Sequence, residues 1–118
     1  EGFSCDPMLA LNDSVMLNFD TGHYEGSTGK SAVAFIEKYH DRIYSIHLKD
    51  KTGPKTEPAN TNQVWGQGET HIEDILNCLK TKYPNIYADI ELEYPIAAWS
   101  NQVKETAKCV KYARQILM

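Results

Sequence analysis

What is scarce in this 118-residue chain narrows its chemistry before any motif is read. Three cysteines, Cys5, Cys78 and Cys109, are an odd number with no CxxC spacing, so neither a disulfide framework nor a zinc knuckle is expected. Cys78 and Cys109 fall within helix patterns, and all three read as reduced thiols that fill apolar space. No apolar run approaches the roughly 18 residues of a membrane span, and no signal-peptide pattern is visible. Positive charge is also short: 12 Lys and Arg stand against 16 Asp and Glu, a formal charge of -4. Nucleic acid calls for a basic stripe, and none is present. What remains, 42% hydrophobic and 24% charged with a mean hydropathy of -0.49, suits one ordinary globular domain with a cytoplasmic location.

The pattern along the chain alternates strand and helix. Residues 1–14 have weak periodicity and read as a loop or a frayed helix end. The apolar run "VMLNF" at 15–19 suits a buried strand, followed by the turn-rich "TGHYEGSTG". "KSAVAFIEKYHDR" then places Val33, Phe35, Ile36 and Tyr39 near one helical face. "IYSIHLKD" is a second strand, and "KTGPKTEPANTNQ" a long polar loop with no element in it. In "GETHIEDILNCLKTKYP", Thr70 and Glu73 have capping-box spacing ahead of an Ile72, Ile75, Leu76, Leu79 stripe. "NIYADIELEY" is a third strand. Ser100 is expected to cap a last helix with a stripe through Val103, Ala107, Val110, Ala113 and Leu117. Strands near 15–20, 43–48 and 86–93 and helices near 30–40, 71–82 and 100–117 make three consecutive βα units of an α/β fold, with parallel strands and right-handed crossovers.

In such folds ligands gather at the carboxyl ends of the strands. The first strand ends at Asp20, the second at His47 and the third at Glu91 and Glu93. A carboxylate, an imidazole and a carboxylate on one rim form an oxygen/nitrogen ligand set for a divalent ion: Mn²⁺ or Mg²⁺, with Co²⁺ or Zn²⁺ as competitors. Such an ion, with open positions, polarises the oxygens of a polyol or hydroxy-carbonyl substrate. It thereby stabilises an enediolate while a carboxylate moves the proton.

Four stretches in order, "NFDTGH", "RIYSIHLKD", "GQGETHIEDIL" and "IELEYP", resemble the C-terminal part of the xylose isomerase-like TIM-barrel superfamily of sugar isomerases and epimerases. The resemblance covers nearly the whole chain from Val15 onward and implies part of a (β/α)8 barrel. It implies Asp20, His47 and Glu91 as metal ligands, Glu91 also as the proton-transfer base, and His23 as a contact to a substrate hydroxyl. Glu93 lies on the same side of its strand and is the alternate to Glu91. Lys49 and Asp50 reach substrate or pair with each other. "GQG" at 66–68 is a backbone turn close to ligand or a flexible start to the helix. Trp65 walls the pocket or packs on the loop, and His40 and His71 are surface residues. The expected substrate is a small sugar or sugar phosphate; a dehydratase of cyclic polyols or keto acids, or a non-catalytic barrel fragment, are the alternatives. The superfamily's DNA-repair branch needs an Asp-x-His in the loop after the second strand, and residues 51–65 hold neither residue type.

Three units are fewer than eight, and the superfamily's fourth ligand, a glutamate from an earlier strand, has no candidate upstream of Asp20. The chain starts at Glu1 rather than Met. It is therefore expected to be the later part of a longer enzyme, or to need the missing barrel half or self-association.

Overall fold

The computed structural model describes residues 4–118. A short helix, α1 (Asp6–Leu9), precedes strand β1 (Leu17–Asp20), which runs directly into α2 (Thr21–Thr28) and then α3 (Ala32–Tyr39). A 3₁₀ turn leads into β2 (Ile43–Leu48), and two short strands, β3 (Asp50–Lys51) and β4 (Asn62–Gln63), pair antiparallel. Helix α4 (Ile72–Lys82), strand β5 (Tyr87–Ile90) and helix α5 (Gln102–Leu117) complete the order. β1, β2 and β5 form one parallel sheet with β2 in the middle, and Asp20 stands in register with His47, and His47 with Asp89.

The alternation of side chains along a strand gives this sheet two different faces. Phe19, Ile46, Leu48 and Ile90 point toward the helices, where they meet Ala32, Ile36, Ile72, Ile75, Leu76, Leu79, Cys109 and Ala113 in one apolar core. The predicted α4 stripe is buried in full, and all three cysteines are buried free thiols. The opposite face carries Asn18, Asp20, Ser45, His47 and Glu91, all of them exposed or half-buried.

Five sequence expectations are corrected. "TGHYEGST" is a helix rather than a turn: the Asp20 side chain caps it by accepting from the His23 N–H (2.9 Å), and Gly29, at φ 69°, ends it in the left-handed conformation a Cβ would disfavour. Gly22 is needed there for a second reason, since a Cβ would collide with the Lys49 side chain and carbonyl as α2 crosses β2. The polar loop is not featureless, because β3 and β4 pin its two ends together. The Thr70/Glu73 capping box does not form; the Thr70 hydroxyl accepts from the Lys51 N–H instead (3.1 Å), and α4 starts at His71 without a side-chain cap. Asn101 rather than Ser100 caps α5, while the Ser100 hydroxyl donates to Glu105. The buried face of α5 is rotated from the predicted stripe: Glu105, Cys109 and Ala113 are inside, and Val103 is 79% exposed. The first turn turns inward around Glu105, whose carboxylate accepts from Tyr94 and Ser100 and pairs with Lys108. Of the first stretch, residues 1–3 lie outside the described residues, and α1 occupies part of the rest.

Candidate active site

The polar rim is assembled by backbone geometry that the sequence enforces locally. β1 ends where Asp20 turns its Oδ1 to cap α2, which leaves Oδ2 facing the sheet's neighbour strand. The Thr21 hydroxyl donates to the His47 carbonyl (2.8 Å) and ties the start of α2 to β2. Glu91, one residue beyond β5, still donates its N–H to the Leu48 carbonyl (2.9 Å), so the parallel ladder holds it level with the end of β2.

At the centre is the Lys49 ammonium. Its Nζ lies 3.3 Å from Asp20 Oδ2 and 3.4 Å from Glu91 Oε2, contacts Glu93 Oε1 directly, and is 3.2 Å from His23 Nε2. The Lys49 side chain is 2% exposed, whereas the carboxylates around it remain partly hydrated. Burial pulls the Lys49 pKa down, but the Glu93, Asp20 and Glu91 carboxylates more than compensate, and it sits above the ordinary lysine value. The hydrogen bond and the charge of Lys49 hold the Glu93 carboxyl below its usual range. His47 Nδ1 is 3.5 Å from Glu91 Oε2 on one side, and its Nε2 is 3.0 Å from Asn18 Nδ2 on the other. Among the described residues, no three His, Cys, Asp or Glu side chains form a ready-made metal cage. The carboxylates instead converge on an ammonium, and carboxylate oxygens beside an imidazole are donor types that hard and borderline divalent ions take.

The structure therefore brings together Asp20, His23, His47, Lys49, Glu91 and Glu93. Asp50 is elsewhere. Its carboxylate accepts from the N–H groups of Gly66 (2.9 Å), Gly68 (3.0 Å) and Thr70 (3.1 Å), and so it neither pairs with Lys49 nor points at the rim. Burial raises the Asp50 pKa, and those N–H groups offset part of the rise. The "GQG" turn is thus a clamp on Asp50, and Trp65 is buried, edge-on to Tyr112 at 5.9 Å. His40 is exposed and stacks on Tyr83. His71, though its side chain is 66% exposed, is tied to buried Glu25, which accepts from the His71 N–H (2.8 Å), the His71 ring (3.0 Å) and the Ala32 N–H (2.8 Å).

Three contributors escaped the sequence reading. Asn18 and Ser45 lie two residues before Asp20 and His47, so strand parity alone assigns them to the same face. Lys51 continues the series from His47 and Lys49, and its Nζ is 3.1 Å from His23 Nδ1. Burial and the neighbouring Lys49 charge lower the Lys51 pKa.

No family model matches the chain. Among curated proteins it is similar to inosose dehydratases: 47% identical over 45 residues to that of Yersinia enterocolitica, a match covering 36% of this chain and 15% of the relative. To the Clostridium perfringens protein it is 28% identical over 93% of this chain and 41% of the relative. The chain thus spans less than half the length of the curated relatives it matches. A crystal structure described as a sugar phosphate isomerase/epimerase from Parabacteroides distasonis overlays on 82% of this chain and 30% of that one, with a TM-score of 0.59 and 21% identity; that likeness establishes the fold. In its fold, in the ordered motifs at its strand ends and in its curated relatives, the chain resembles part of the xylose isomerase-like superfamily.

Proposed function

We propose that this chain supplies the later strand ends of a divalent-metal-dependent enzyme that moves a proton at the carbon next to a carbonyl in a sugar or sugar phosphate, an isomerisation or epimerisation. The observation that carries this is the convergence of Asp20, Glu91 and Glu93 on one buried cation beside His47. Asp20, His47 and Glu91 would hold the metal, Mn²⁺ first and Mg²⁺, Co²⁺ or Zn²⁺ as alternatives, once the Lys49 ammonium yields its place. Bound there, the ion supplies polarisation of the substrate's carbonyl and hydroxyl oxygens. Glu91 is the proton-transfer base. Glu93 is the weaker candidate because its carboxyl is held below the usual range, which lowers its basicity. His23, bracketed by Lys49 and Lys51, contacts a substrate hydroxyl, and Lys49 with its raised pKa stays charged to receive an oxyanion. Asp50 acts on the loop rather than on substrate.

A second reading draws on the relatives' names: dehydration of a cyclic polyol ketone such as an inosose. It opens with the same proton removal by Glu91 and then expels a hydroxyl as water. The open polar face and the two unpaired strand edges of the sheet support completion by further strands, from a longer chain or other copies.

Deuterium wash-in at the α-carbon separates these ideas. Ketoses, their phosphates and an inosose are incubated in D₂O with each of the four metals, using the chain and then the assembly that closes its sheet. Exchange with retained oxygen supports isomerisation, exchange with loss of water supports dehydration, and no exchange from either preparation overturns both. Glu91→Gln should abolish exchange while keeping most metal affinity; loss from Glu93→Gln alone reverses the assignment.

A further inference from the structure

The polar face contains a hydrogen-bond relay that no catalytic role above explains. The Ser45 hydroxyl donates to Asn18 Oδ1 (2.8 Å), the Asn18 Nδ2 group faces His47 Nε2 (3.0 Å), and His47 Nδ1 faces Glu91 Oε2 (3.5 Å). An amide nitrogen only donates, so His47 Nε2 must accept and carry the lone pair. A neutral imidazole then has its proton on Nδ1, the nitrogen 3.5 Å from the Glu91 carboxylate. Nδ1 is also the nitrogen on the carboxylate side, the one with which His47 would join Asp20 and Glu91 around a cation. In the arrangement observed, that nitrogen has no lone pair to give.

We propose that Asn18, backed by Ser45, is a positioning residue that sets which nitrogen of His47 carries the proton, and that its amide turns over when the ring becomes a ligand. The inference rests on the metal reading above only for its second half. The turn needs no change in the strands. Rotating the amide by half a turn presents Oδ1 to Nε2–H, frees the lone pair of Nδ1, and lets Nδ2 donate to the Ser45 oxygen. Amide, hydroxyl and imidazole each can donate or accept, so all three reverse together, the half-buried Ser45 hydroxyl then donating to solvent. Outer groups that orient a ligand imidazole in this way are worth roughly 10–100-fold in metal affinity.

The test reads the proton directly. In ¹⁵N-histidine-labelled, metal-free chain, the His47 signals, assigned by loss in His47→Gln, should show a one-bond N–H coupling at Nδ1 and a bare, pyridine-like Nε2. Asn18→Asp, which only accepts, should place a proton on Nε2 without metal. Asn18→Leu should give a mixture of tautomers, and its Zn²⁺ affinity by calorimetry should fall about tenfold or more. Ser45→Ala, the milder change, should partly blur the single tautomer if Asn18→Leu fails to fold. A wild-type ring protonated on Nε2 alone overturns the proposal, as does a single unchanged tautomer in both Asn18 variants. Zn²⁺ that binds while Nδ1 keeps its proton overturns it as well. No Zn²⁺ binding, with the Nδ1–H form intact in wild type and altered in the variants, defeats the metal reading and leaves the hold of Asn18 on the ring supported.

Discussion

Replacing Lys49 by Met keeps most of the apolar stem of the side chain but removes the cation on which three carboxylates converge. At an effective dielectric constant of about 20, each contact at 3.3–3.4 Å is worth on the order of 5 kcal/mol of raw Coulomb attraction. Most of that is consumed in taking the ammonium out of water, since its side chain is 2% exposed. Breaking a buried pair costs about 3–5 kcal/mol and an exposed one about 1 kcal/mol or less. With Asp20 at 19%, Glu91 at 34% and Glu93 at 50% exposure, the site lies between these limits, and we expect a loss of about 2 kcal/mol. For a chain of this length that corresponds to roughly 8 °C in Tm. The variant also leaves three carboxylates facing each other with no charge between them, so a divalent ion should now bind without displacing an ammonium. Urea denaturation of both proteins, with and without Mn²⁺, reads both effects. Wild type, in which the ion must first displace the ammonium, should be stabilised less by Mn²⁺ than the variant. Lys49→Met should recover its deficit, which at 100-fold excess over Kd requires only the roughly 2.7 kcal/mol that mass action provides. A variant as stable as wild type without metal would refute the electrostatic reasoning. A destabilised variant indifferent to every divalent ion would refute the idea that a metal shares the ammonium's position.

Other outcomes follow from contacts away from Lys49. Glu25→Ala strands the Ala32 and His71 N–H groups and should cost roughly 2–4 kcal/mol by chemical denaturation; Glu25→Gln, which can accept through one oxygen only, should recover little of it. Asn101→Ala removes the acceptor of the Lys104 N–H at the start of α5 and should cost about 1 kcal/mol in the same assay. Asp6, Glu69, Glu93 and Glu105 all have lowered pKa values, held respectively by Tyr39, Thr56, Lys49 and Ser100 as the largest causes. Groups lowered in the folded state stabilise it above the ordinary carboxylate range and lose that contribution as pH falls through their folded values. The urea midpoint should therefore drop below about pH 4, less steeply in Glu93→Gln, with the raised Asp50 opposing weakly. A midpoint that climbs steadily from about pH 5 to about pH 3 would contradict the signs assigned here.

The strands and the α3 and α4 faces were legible from their apolar periodicity: Ile72, Ile75, Leu76 and Leu79 repeat at helical spacing, and "SIHL" at 45–48 alternates rim with core. The rim residues were legible because each ends an apolar run. Helix α2 was not, since two glycines with Thr21, Ser27 and Thr28 in eight positions give poor intrinsic helix propensity. Its stability is tertiary: the Asp20 cap, the Thr21 tie to β2 and the burial of Glu25 under Ala32 and His71. The same cause misplaced Thr70 and Asp50. Local spacing suggested a capping box at Thr70 and a substrate contact or Lys49 pair at Asp50, but N–H groups distant in sequence, of Lys51 for Thr70 and of Gly66 and Gly68 for Asp50, claimed their oxygens. The rotation of α5 depended on Glu105 being buried with partners, which no hydrophobic pattern can announce.

The central strand β2 alternates Ile46 and Leu48 with Ser45, His47 and Lys49, so one short segment serves two tenants who never meet. Mutations on the chemical side should combine almost additively with those on the apolar side, because the backbone between them is clamped by ladders on both flanks. Such a strand lets the polar side be rewritten while Ile46 and Leu48 keep their packing, with Lys49 the position where the two sides share a stability cost.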